Sequence, residues 1–148
     1  MNLPILYSFK RCPYAMRARM ALILAAKDCE LREVSLKNKP DEMLQISAKG
    51  TVPVLELPHK VLEESLDIIS WAMQSHPESV YTFSTKEKLI SESLIQLFDS
   101  KFKYHLDRYK YSKRYDNEDP EFHRKKCLSF IEKVNSELQN SKYIFTIQ

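Results

Sequence analysis

The sequence predicts an α/β domain followed by an all-α one. Through residue 76, short apolar runs alternate with helical patterns in the order βαβαββα, an alternation that builds a small mixed sheet with helices on its faces. Beyond residue 83 only the helical period recurs. Between the two, the polar, proline-bearing stretch SHPESVYTF breaks both patterns and marks a boundary. The expected organisation is a domain at 1–76, a linker at 77–83 and a helical region at 84–148.

Each element follows from local pattern. PILYSF reads as a strand, Pro13 to Lys27 as a helix, LREVSL as a second strand, and Pro40 to Ala48 as a short helix. VPVLEL and KVLE flank a PHK turn and read as an antiparallel hairpin, and a helix runs from Ser65 to about Gln74. In the second region Leu89, Leu94, Leu97, Phe98, Phe102, Leu106 and Tyr109 recur at helical intervals, predicting one long amphipathic helix. RYDNEDPE interrupts it, with Asp119 or Asn117 placed to cap a second helix and Pro120 suited to its first turn. That helix carries Phe122, Cys127, Phe130, Ile131, Val134 and Leu138 on one side.

Composition excludes several classes of function. The chain has 148 residues, 43% apolar and 29% charged, with a net charge of +3, which suits a globular protein with no demand for nucleic acid or anionic lipid. The basic residues Lys101, Lys103, Arg108, Lys110, Lys113 and Arg114 are interrupted by Asp99, Asp107 and Asp116, the pattern of a solvated helix face. MNLPILYSFKRC does not read as a secretory signal, and no apolar segment approaches the length of a membrane span. A cytoplasmic protein is expected. Cys12, Cys29 and Cys127 are too few and too widely spaced for a disulfide framework or a zinc site, so free thiols and no metal are expected.

Three short stretches carry candidate chemistry. In RCPYA, Cys12 precedes Pro13 at a helix start, where the amides that lack helical partners, the helix dipole and Arg11 all favour an anionic sulfur. Position 15, where a resolving cysteine would stand, is alanine, so catalysis here would be monothiol. A compact turn residue is the alternative reading of Cys12. In GTVPVLEL, Pro53 opens a strand or a cis turn; a cis bond would free the Val52 backbone to pair with an extended peptide-like ligand. In LEESLDIISW, Ser65 reads as an N-cap beside Glu64, a setting for a zwitterionic head group or for ordinary helix capping. Tyr104, Tyr109, Tyr111 and Tyr115 are candidates to line a second-substrate pocket in the helical region, with packing and surface tyrosines as the favoured reading.

RCPYA, LKNKP, GTVPVLEL and EES, in that order and at that spacing, resemble the glutathione transferase superfamily, most closely its cysteine-type members, the omega-class enzymes and their bacterial relatives. The resemblance covers about the first 76 residues. It implies a thioredoxin-like βαβαββα domain followed by an incomplete helical transferase domain, since the family's helical domain is longer than the two long helices expected here. It implies that Cys12 is the nucleophile, supported at the helix start by Arg11, Pro13 and Tyr14. It further implies that Val52, before a cis-Pro53, pairs its backbone with the cysteinyl part of glutathione, that Lys39 meets the glycyl carboxylate, and that Glu64 and Ser65 hold the γ-glutamyl group. The implied activity is glutathione-dependent thiol transfer or reduction through a mixed disulfide, with glutathione as co-substrate, a second thiol, disulfide or electrophile as partner, and a homodimer as the assembly. Two readings stand beside it: a non-catalytic interaction module that keeps the transferase fold, and a glutaredoxin-like monothiol reductase using the first domain alone.

Overall fold

A computed structural model describes residues 3–74 and 84–139, so the expected linker at 77–83 lies outside the described residues. The chain divides into two compact units, Met1–Val80 and Tyr81–Gln148.

The first unit is built on four strands, β1 (Ile5–Ser8), β2 (Glu30–Glu33), β3 (Val54–Leu57) and β4 (Lys60–Leu62), in the spatial order β2-β1-β3-β4. β1 and β2 run parallel, while β3 is antiparallel to both β1 and β4. The helices are α1 (Pro13–Leu24), α2 (Asp41–Ile46) and α3 (Ser65–Gln74), completing the βαβαββα order read from the sequence. Side chains alternate across a strand, and the register places Leu6 opposite Leu55 and Tyr7 opposite Val54. One face therefore carries Leu6, Leu55 and Leu62 against Ala18, Ala21 and Leu22 of α1 and Ile68 and Ala72 of α3. The other packs Tyr7, Val34 and Val54 around Met43 of α2. Alanines 15, 18 and 21 bury the inner face of α1, and their small size lets the helix lie close to the sheet.

The expected helix to Lys27 ends earlier, at Leu24. Lys27 N–H donates to Leu22 O at 2.9 Å and Ala26 N–H to Ile23 O at 3.0 Å, with Ala26 in the left-handed region at φ 49°. Those two bonds close the helix end and satisfy carbonyls that further helix would otherwise have used. β2 begins one residue earlier than expected and stops at Glu33; Val34 follows it into the second core, its N–H donating to Ser8 O at 2.7 Å.

The second unit comprises α4 (Thr85–Leu97), a π-helical stretch (Phe98–Phe102), α5 (Lys103–Lys110), a 3-10 turn (Ser112–Arg114) and α6 (Pro120–Gln139). Ser84 and Glu87 form a reciprocal capping box at the start of α4, and the bonds from Ser84 hold the Glu87 carboxyl below the usual carboxylate range. The single long helix expected from Leu89 to Tyr109 is thus interrupted by one widened turn. Within that turn the Phe98 and Phe102 rings meet at 4.8 Å, and Phe102 reaches Phe130 of α6 at 6.3 Å. Of the two expected caps, Asp119 begins α6: its carbonyl accepts from His123 N–H and its carboxylate from Glu121 N–H at 3.0 Å. Asn117 instead takes the turn before it, at φ 62°. No helix among the described residues is long and apolar enough to cross a membrane.

Candidate functional site

The loop between β1 and α1 presents Cys12. Its N–H donates to Phe9 O at 3.0 Å and its carbonyl accepts from Met16 N–H at 2.9 Å, so Cys12 is the N-cap of α1, with Pro13 at the first helical position. The sulfur makes no capping bond to the helix amides. A protonated thiol is a donor, and it donates instead to the Val52 carbonyl at 3.5 Å. Cys12 is half-buried, reachable by a small ligand and held on one side by protein.

Two groups that sequence reasoning missed fix this loop. Arg19, two turns along α1, points back and donates to Ser8 Oγ at 2.5 Å, Lys10 O at 3.1 Å and Phe9 O at 3.4 Å. Glu33 at the end of β2 accepts from Lys10 N–H at 2.8 Å. Charge-assisted bonds of this kind are about twice as strong as neutral ones. The Cys12 loop is therefore anchored to both neighbouring elements. Arg11, exposed, lies over the Phe9 ring at 5.5 Å.

Val52 and Pro53 are joined by a cis peptide bond, and Pro53 is buried where it enters β3. Among the described residues nothing hydrogen-bonds the Val52 N–H. Two residues earlier stands Gly50, the chain's single glycine, at φ 57°. A Cβ there would lie 3.1 Å from Leu44 Cδ2 and 3.4 Å from Lys39 Nζ, in a conformation L side chains rarely adopt. This close turn seats the Lys39 ammonium beside the segment that leads to Val52.

The EES motif is tied down residue by residue. Glu63 accepts from the buried Ser47 hydroxyl at 2.7 Å, and Glu64 pairs with Lys49 at 2.6 Å. Ser65 is buried, and its hydroxyl accepts from Arg17 Nε at 2.9 Å, while the Arg17 guanidinium lies 5.0 Å from the Tyr14 ring. Ser65 is accordingly not the N-cap of α3. The Glu64 carbonyl accepts from Ile68 N–H at 3.1 Å and takes that position, because Ser65 turns inward to meet Arg17. Arg17 and Lys49 add a cation beside each of the two residues expected to hold a head group. Neither carries a motif signature; the only trace is that Arg17 lies one turn beyond Pro13 on α1.

The remaining thiols are bland. Burial pushes the Cys29 thiol up, with Asp28 adding to it, and burial also raises that of Cys127, which lies on α6 with its sulfur 4.0 Å from Phe102 O. All three cysteines are free. In the second unit Tyr104 and Tyr115 clasp the Arg108 guanidinium at 3.5 and 4.5 Å, a packing role consistent with their reading from sequence. Tyr109 and Tyr111 are exposed.

Residues 6–80 match the family model for the glutathione S-transferase N-terminal domain. Among curated proteins, human glutathione S-transferase omega-2 is 30% identical over 97 residues, 63% of this chain and 39% of that protein. Maleylacetoacetate isomerase of Dictyostelium discoideum is 26% identical over 105 residues, 67% of this chain and 48% of that one. The chain therefore spans less than half the length of these curated relatives. Among solved structures, unclassified glutathione S-transferase 2 from Bombyx mori superposes with a TM-score of 0.80 at 14% identity, covering 97% of this chain and 70% of that one. A tau-class enzyme from mango gives 0.77 at 23% identity, covering 94% and 64%. These likenesses establish the shared fold. A matched domain model spanning half the chain and the observed sheet order agree: the chain belongs to the glutathione S-transferase superfamily, with omega-class and related members among its relatives.

Proposed function

We propose that this protein is a glutathione-dependent thiol transferase or reductase that works through Cys12. The observation that carries the reading is the Cys12 sulfur at the N-cap of α1, 3.5 Å from the carbonyl of Val52 that precedes cis-Pro53. A cysteine in that position can attack the glutathionyl sulfur of a mixed disulfide, releasing the partner thiol and forming an S–S bond between Cys12 and glutathione. With alanine at position 15, a second glutathione thiolate completes the cycle: it attacks the glutathione sulfur, and glutathione disulfide leaves as Cys12 is restored.

The other residues bind. The Val52 backbone pairs with the cysteinyl part of glutathione and Lys39 meets its glycyl carboxylate. Ser65, with Arg17 beside it, takes the γ-glutamyl carboxylate, and Glu64 takes the ammonium in place of Lys49. That exchange is cheap, because the Lys49–Glu64 pair is exposed and screened by solvent. Pro13, Tyr14 and Arg11 support the helix start.

Exchange on a glutathionylated peptide, wild type against Cys12→Ala, tests the mechanism; equal rates sink it. A non-catalytic interaction module that keeps the transferase fold is the second reading. Calorimetry separates the two, since no heat at millimolar glutathione favours the module. The solution mass tests the homodimer that the family implies.

A further inference from the structure

The turn that carries Cys12 has a charged outer edge that the glutathione contacts leave unused. Cys12 N–H donates to Phe9 O at 3.0 Å, which closes a four-residue turn with Lys10 and Arg11 at its two corners. Both are exposed. Two cationic side chains therefore stand on the solvent side of the turn, on the residues immediately before the sulfur.

Neither cation is spent inside the protein. Among the described residues no carboxylate pairs with Lys10 Nζ or with the Arg11 guanidinium, which lies only against the Phe9 ring, 5.5 Å from its centroid. Glu33, the acid bonded to this turn, is committed to its main chain through Lys10 N–H at 2.8 Å. Glu63 and Glu64 are taken up by Ser47 and Lys49. Arg19, bonded to Phe9 O and Lys10 O, adds a further positive charge to the same turn. Lys10, Arg11 and Arg19 thus stand against Glu33 alone, on a backbone held by bonds from two elements.

We propose, resting on the thiol-transfer reading of Cys12, that Lys10 and Arg11 select the second substrate: a polypeptide whose glutathionylated cysteine is flanked by acidic residues. The exchange sets the distances. The Cys12 sulfur bonds to the glutathionyl sulfur while the peptide sulfur leaves with the electron pair of the broken disulfide, so one S–S bond replaces another. Three sulfurs in line put the peptide's cysteine about 4 Å from Cys12, two S–S bond lengths away. Its neighbours in the peptide then face the turn corners at roughly 7 Å, where one pair of opposite charges in water is worth about a two- to threefold preference. Two cations facing two carboxylates give about fivefold by the same arithmetic. An open turn with two exposed cations has little hold on a small disulfide, whereas a polypeptide presents several carboxylates together.

Three synthetic peptides test this with the full-length chain, alike except that Asp, Asn or Lys stands on both sides of a glutathionylated cysteine. Each rate is divided by that of the same peptide with 2-mercaptoethanol, a neutral thiol, which removes the effect of the flanking charges on the disulfide itself. At low salt kcat/KM should favour the Asp peptide over the Lys peptide by about tenfold or more, with Asn between. In about 0.5 M sodium chloride that ratio should fall to roughly twofold. Lys10→Gln should lower it about threefold, and Lys10→Glu combined with Arg11→Glu should reverse it. The readout is a ratio within one protein, so a change in overall rate does not enter. A wild-type ratio near one, with Cys12-dependent turnover of the Asn peptide, overturns the charge selection and leaves the thiol-transfer reading standing. No turnover of any peptide overturns both. A preference that persists in high salt or in the double variant also overturns the proposal. Where the double variant fails to fold by circular dichroism, Lys10→Gln and the salt series decide.

Discussion

The two units bury polarity differently. In the first, the buried polar groups of the site are hydroxyls, those of Ser8, Ser47 and Ser65, each bonded to a charged side chain that reaches in from the surface. In the second, the buried group is an imidazole, His123, whose partners on both sides are themselves titratable. Hydroxyls do not change charge with pH; a histidine chain does. The first arrangement suits a site that must keep its shape while ligands come and go, and the second ties the pairing of α5 with α6 to a protonation state.

The sharpest way to break that contrast is His123→Leu. It leaves Glu118 and His105 each short of a buried partner, and we expect a loss of about 2–3 kcal/mol. Trp71, the chain's one tryptophan, lies in the first unit. Urea unfolding followed by far-ultraviolet circular dichroism should therefore reveal the loss, with Trp71 fluorescence moving less. Equal movement in both signals would erase the distinction.

Arg19→Ala is the counterpart in the first unit. It removes three bonds from the Cys12 loop, and we expect a loss of about 1–2 kcal/mol, read this time in the Trp71 transition. Acid should act more gently and on the second unit. His105 titrates below its unfolded value of 6.5 and Glu118 below 4.5, so in each case the unfolded chain binds the proton more readily. The stability they confer is complete above those unfolded values and is lost as pH falls, first through the histidine and then through the carboxylate. Thermal melts from pH 7 to pH 4 should show the helical transition dropping ahead of the Trp71 transition; a rise in stability over that range would contradict the assignment. Smallest is Lys49→Ala, which removes an exposed, solvent-screened pair and should leave the denaturation midpoint essentially where it is. By calorimetry the same variant should bind glutathione more tightly, as Glu64 no longer has a resident cation.

What could be read from residues alone follows the same division. Alternation along PILYSF and VPVLEL revealed both strands, and their register then settled which side chains face which core. RCPYA and Val52-Pro53 marked the thiol and its neighbour because Cys, Pro and strand chemistry are local. Arg17 and Arg19 escaped notice because an arginine on an amphipathic helix looks like a solvated residue until the loop it reaches is in place. Ser65 was misplaced by one position for the same reason, since Arg17 draws its hydroxyl inward. The histidines left no mark at all: eighteen residues separate His105 from His123, and only the packing of α5 on α6 brings them together.

Ala26 carries a practical consequence. It closes α1 in a left-handed conformation that glycine adopts freely and alanine does not, and the two bonds of the helix stop come from backbone N–H groups, its own and that of Lys27, which glycine would keep. Evolution has left slack at the far end of the helix that Cys12 caps. Ala26→Gly should take up that slack and raise the denaturation midpoint of the first unit without touching the chemistry, giving a sturdier starting scaffold on which costlier changes around Cys12 can be tried.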